Sequence, residues 1–108
     1  MNTTTILQTV CYRMNVSIED IRGPVRSRKL AEARKVFAYV CRKLTRTPFH
    51  LIGKEVNKDH SSIIYGVRTC EILMSAYKDF DFTVNQILSD LSTEYKGEEV
   101  KLKIQETV

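Results

Sequence analysis

Apolar positions recur at helical spacing through most of this chain. Residues 5–14 place Ile6, Val10 and Met14 on one face, as a short amphipathic helix does. Asn15-Val16 ends that stretch. Ser17 then opens a capping box closed by Asp20, so a second, very short helix runs to Ile21 or Arg22. Gly23-Pro24 stops it, because glycine frees the backbone and proline cannot continue the hydrogen-bond ladder. Between Lys29 and Leu44 the apolar set Leu30, Ala33, Val36, Phe37, Val40, Cys41 and Leu44 makes the wide stripe of a long helix. Thr47-Pro48 marks the next start, with Thr47 as cap and Pro48 at the first helical position. Phe49, Ile52 and Val56 then face inward, with Leu51 flanking. Gly53 inside this helix costs about 1 kcal/mol against alanine and is explained if another helix crosses closely there.

Asp59 is a good N-cap for the following helix, whose buried stripe is Ile63, Val67, Cys70, Met74 and Tyr77 and which runs to about Lys78. Asp79-Phe80-Asp81-Phe82 interrupts the pattern. From Thr83, the positions Val84, Ile87, Leu88, Leu91 and Tyr95 make one more amphipathic helix, ended at Lys96-Gly97. Val100 to Ile104 alternates with period two, a weak strand signal with no partner strand in the chain, so 97–108 reads as a loose tail or an interaction segment. The expectation is an all-α, small multi-helix domain over 1–80, followed by a C-terminal helix and acidic tail over 81–108.

Two of these helices are joined by about three residues, Asn57-Lys58-Asp59, and the second opens with His60, Ser61 and Ser62. That is a helix-turn-helix pattern whose second helix leaves a polar first turn free, suited to a DNA major groove. The commoner meaning of a polar first turn is an ordinary surface cap, so charge has to arbitrate. The formal net charge is +4, but residues 22–46 carry nine lysines and arginines against Glu32 alone, while 81–108 is acidic. Arg26, Arg28 and Arg34 cluster near the start of the long helix, where cations oppose the helix dipole, so an external anion would compensate them.

With 108 residues the chain buries roughly two-thirds of its surface without a disulfide or metal. Cys11, Cys41 and Cys70 are isolated and odd in number, which fits buried thiols in a reducing cytoplasm. His50 and His60 have no cysteine at ligand spacing, so neither a metal nor another cofactor is expected. No apolar run of about eighteen residues points to a membrane span, and the N-terminus has no secretory pattern. No nucleophile–base motif surrounds either histidine, so an enzyme is not expected.

Arg26-Ser27-Arg28, the long basic helix, Ile52-Gly53 and then Lys58-Asp59-His60-Ser61-Ser62-Ile63-Ile64 together resemble the C-terminal DNA-binding domain of the bacterial chromosomal replication initiator DnaA. The resemblance covers about residues 6–80. It implies a Trp-repressor-like helix-turn-helix fold, double-stranded DNA as the partner, and a bacterial or phage cytoplasmic, nucleoid-associated location. It implies that Arg26 enters the minor groove and that Arg34 contacts the groove from the basic helix. It also implies that Asp59, His60, Ser61 and Ser62 meet base edges and neighbouring phosphates, with Lys58 standing where the family usually has arginine. Lys58, Arg28 and Lys35 are then expected to hold phosphates.

Several positions depart from that family. Lys35 replaces a residue that is often glutamine, and Glu32 falls where a basic residue is common. The gap from Gly53 to His60 is one residue short, and serines at 61 and 62 replace threonines, removing methyls that touch thymine methyl groups. Duplex binding is therefore expected to carry over better than preference for the family's usual box. No phosphate-binding glycine loop is present, so a chain complete at this length is expected to mark or occlude sites rather than hydrolyse ATP. The rival is an interaction module or transcriptional regulator that kept the fold, working through a protein partner or a second copy at 83–104.

Overall fold

The computed structural model describes the backbone of residues 2–107 and the side chains of residues 2–92, and it is all-α. Helix α1 (Thr3–Met14) is capped by Asn2, whose side chain accepts from the Thr5 N–H. It ends at Asn15 in the left-handed region, φ 55°, with the Val16 N–H returning to the Cys11 carbonyl. Helix α2 (Ile18–Arg22) begins on Ser17, whose hydroxyl accepts from the Asp20 N–H at 2.9 Å, the capping expected from the sequence.

Helix α3 (Arg28–Leu44) is the centre of the molecule. Seven of its residues, from Leu30 through Phe37 to Cys41, are buried. It packs most closely on α5 and also touches α1, α2, α4 and α6. The α3–α5 crossing is tight because Ala38 and Gly66 meet there: a Cβ at Gly66 would lie 3.5 Å from the Lys35 Cα. Full burial of Phe37 alone contributes roughly 1.5–3 kcal/mol.

Helix α4 (Phe49–Glu55) starts on Pro48, without a side-chain cap bond. Thr47 is therefore not the cap. The Thr45 hydroxyl holds it, accepting from the Thr47 hydroxyl and the Thr47 N–H while giving its one proton to the Cys41 carbonyl, which turns the chain between α3 and α4. Gly53 is needed for a reason other than a crossing helix. A Cβ there would overlap the carbonyl oxygen of Lys58, because the turn folds back on α4 and the Lys58 N–H bonds the Gly53 carbonyl at 2.9 Å.

Helix α5 (His60–Ala76) ends sooner than its apolar stripe suggests. Tyr77 is extended and 58% exposed, and the last buried stripe residue is Cys70, with Val67 and Met74 at the core's edge. Helix α6 (Lys78–Thr107) begins at once. The Asp79-Phe80-Asp81-Phe82 stretch is its first turn rather than an interruption, since carboxylates are favoured against the N-terminal helix dipole. Val84, Ile87 and Leu91 of α6 are buried in the core with Ile6, Leu7, Val36 and Phe37. The helical backbone continues through Gly97 and across 100–104, so no tail separates at 97 and the alternation there forms no strand. Glycine costs a helix only about 1 kcal/mol, too little to end one by itself. The expected inward side chain Tyr95 lies outside the residues whose side chains are described.

Candidate nucleic-acid interface

The free end of α5 carries the polar turn. The Asp59 carboxylate accepts from the Ser62 N–H at 2.8 Å, and that bond, with a second from the Ser62 hydroxyl, holds the carboxyl below its ordinary range. Asp59 and Ser62 are thus engaged with each other, while His60 and Ser61 at the helix tip are exposed. The turn before them is fixed by Gly53 and by Asn57, whose φ of 55° is left-handed.

The segment from Gly23 to Ser27 lies beside this turn, and Pro24, Val25, Arg26 and Ser27 are exposed. Arg34 of α3 reaches back under it. Its guanidinium donates to four backbone carbonyls: Ile21 at 2.9 Å, Val25 at 2.7 Å, Gly23 at 2.9 Å and Asp20 at 3.1 Å. The Asn57 amide donates to the Arg22 carbonyl at 3.1 Å, and the Lys58 ammonium lies 3.4 Å from the Gly23 carbonyl. Arg22 closes the other side, donating to the Glu55 carbonyl at 2.7 Å and pairing with its carboxylate at 3.3 Å.

Between the segment, α3 and α5 runs an open cleft of about 380 Å³. Arg26, Arg34, Lys35 and Lys58 line it together with Ser62 and Tyr65. Burial is the main cause of a lowered pKa for Lys58, and Arg34 and Arg26 lower it further. Arg34 is lowered likewise, by burial and then by Arg26. The cations therefore repel one another in the free domain, an arrangement that an anion relieves.

Five sequence-predicted residues thus share one wall-to-wall surface, Arg26, Arg34, Lys35, Lys58 and Ser62, with Asp59 capping behind Ser62. His60 and Ser61 are exposed in the same turn of α5 but do not line the cleft. Arg28 sits apart: it pairs with Glu32 at 3.2 Å and lines a different groove with Met14, Leu73, Tyr77 and Phe80. Two residues at this surface were not among the site residues expected from the sequence. Tyr65, 65% exposed, stands one turn past Ser61 and Ser62 on the same side of α5. Asn57 had its signal in being an asparagine at a turn, the residue type that tolerates a left-handed backbone.

Among the described residues, no helix is long and apolar enough to cross a membrane. The family model described as the bacterial dnaA protein helix-turn-helix matches residues 3–70. The chain is 38% identical over 88 residues to the chromosomal replication initiator protein DnaA of Rippkaea orientalis, and 35% identical over 88 residues to that of Crocosphaera subtropica. Each of these matches covers 81% of this chain and 18% of the relative. The same-named protein of Mycobacteroides abscessus is 34% identical over 61 residues, 56% of this chain and 12% of that one. The chain therefore spans under a fifth of the length of the relatives it matches, and it belongs to the bacterial DnaA helix-turn-helix family.

Proposed function

We propose that this domain binds double-stranded DNA with sequence preference, in replication initiation or its regulation. One observation carries the reading: four cations and Ser62, in the first turn of α5, line a single cleft. Membership of the family, and similarity to proteins named chromosomal replication initiator, support the process. In this reading the start of α5 enters the major groove, with His60 and Ser61 at base edges and Ser62 beside a phosphate. Arg26 extends from the α2–α3 segment over the adjacent minor groove. Lys35, Lys58 and Arg28 neutralise phosphates, Arg28 by giving up its exposed pair with Glu32.

Selection of bound duplexes from a random pool, followed by anisotropy titrations on the selected site, tests this. About five phosphate contacts give a log–log salt slope near −4.5. Arg26→Ala weakens binding and relaxes A·T preference. His60→Ala loses roughly 1–3 kcal/mol of discrimination at one or two base pairs. No enrichment from the pool, together with a partner held independently of salt, would favour an interaction module instead. Light scattering on the same samples reports a second copy docking along 83–104 as a doubled mass.

A further inference from the structure

We propose that Arg34 and Asn57 are positioning residues that lock the α2–α3 segment to the helix-turn-helix turn, so that Arg26 and the start of α5 meet a duplex as one rigid unit. The inference rests on the duplex-binding reading of this surface and assigns how its two halves are kept in register. Helix α2 is only five residues long, and Gly23-Pro24 cuts it off, leaving carbonyls at its C-terminal end without helical partners. Arg34 supplies donors to four of the carbonyls between Asp20 and Val25, which uses all but one of its five N–H groups. A cation at that helix end also matches the α2 dipole. A guanidinium spent in this way holds the segment's shape and has one N–H left for any phosphate.

Asn57 makes the second tie. It is the left-handed residue of the turn that launches α5, and its amide reaches across 35 positions of sequence to the Arg22 carbonyl. The Lys58 ammonium beside the Gly23 carbonyl and the Arg22–Glu55 pair run parallel to it. Carbonyls 20–25 are thus held from α3 on one side and from the α4–α5 turn on the other. Arg26, one residue past Val25, inherits its position from both.

The test uses the whole chain and five variants, Arg26→Ala, Arg34→Gln, Asn57→Gly and the pairings of the latter two with Arg26→Ala. Glycine at 57 keeps the left-handed backbone and removes only the amide. Arg34→Gln and Asn57→Gly are each expected to weaken binding to the selected duplex about tenfold, and to narrow the A·T-over-G·C preference at the minor-groove positions. In the Arg26→Ala background the same changes are expected to cost less than about twofold, since what they position is already gone. Losses that simply add would show Arg34 acting through its own DNA contact and would overturn the proposal. Amide hydrogen exchange without DNA supplies an independent arm: residues 25–27 are expected to exchange faster in both variants while Val36 to Val40 stay protected. Unchanged exchange at 25–27 in Asn57→Gly overturns the proposal, even if Arg34→Gln fails to fold. Wild-type protein that binds no duplex refutes the functional reading alone, and the exchange arm still decides whether the lock exists.

Discussion

Gly53 and Gly66 sit inside helices and, on propensity alone, should respond alike to alanine. Each Gly→Ala change in a helix interior is expected to stabilise by about 1 kcal/mol. Their surroundings separate them. At Gly66 the new methyl would meet the Lys35 Cα at 3.5 Å and the Ala38 Cβ at 3.6 Å, ordinary contact distances, so the gain is kept. At Gly53 the methyl would overlap the Lys58 carbonyl oxygen and lie 3.2 Å from its carbon, and both are backbone atoms that no rotamer change can move aside. Forced overpacking costs about 1–3 kcal/mol. Displacing Lys58 also strains its N–H bond to the Gly53 carbonyl, worth about 1 kcal/mol. Set against the propensity gain, Gly53→Ala is left destabilised by roughly 1–3 kcal/mol. For a domain of this size that lowers Tm by at least about 4 °C, while Gly66→Ala raises it by a few degrees. Thermal unfolding of the three proteins by circular dichroism reads both signs at once. Because Lys58 and Asp59 set where α5 begins, Gly53→Ala also weakens duplex binding. A Tm for Gly53→Ala at or above wild type would refute the claim that the turn's own backbone, rather than a neighbouring helix, demands glycine there.

The cap of α5 predicts a pH dependence. The Asp59 carboxyl is depressed in the folded state, so its stabilisation is present above the unfolded carboxylate value of about 3.9 and is lost as pH falls through the lower folded value. Asp59→Ala should therefore lower Tm at neutral pH, and the difference from wild type should shrink towards pH 3. The thiols should be inert in the native protein, because burial pushes Cys70 up to about 12 and raises Cys11 and Cys41 as well. Ellman's reagent at pH 8 should label all three only after denaturant is added, and rapid native labelling of any one would contradict the packing. Thr45→Val should destabilise by about 1 kcal/mol, read by urea titration, because its hydroxyl bonds both the Cys41 carbonyl at 2.7 Å and the Thr47 N–H.

What was legible in the sequence was whatever a side chain does to its own few neighbours. Ser17 and Asp59 cap as expected because an N-cap bond spans only three residues. The α3 stripe is likewise a local periodicity, and the run of cations in 22–46 survives into the cleft because its residues lie on adjoining elements. The misplacements came where local signals are symmetric. Acidic residues at 79 and 81 read equally as a break or as a helix start, and Tyr77 fits a buried stripe as well as an exposed cap; only packing against α1 and α3 decides between them. Arg34 shows the limit most clearly. Its charge predicts attraction to an anion, yet four carbonyls that no spacing rule brings near it claim its donors first. Its charge nevertheless stays in the cleft: satisfied by dipoles and not by a carboxylate, Arg34 still depresses Lys58. One side chain thus shapes the segment by hydrogen bonding and leaves the surface electropositive, two effects that a carboxylate partner would have set against each other.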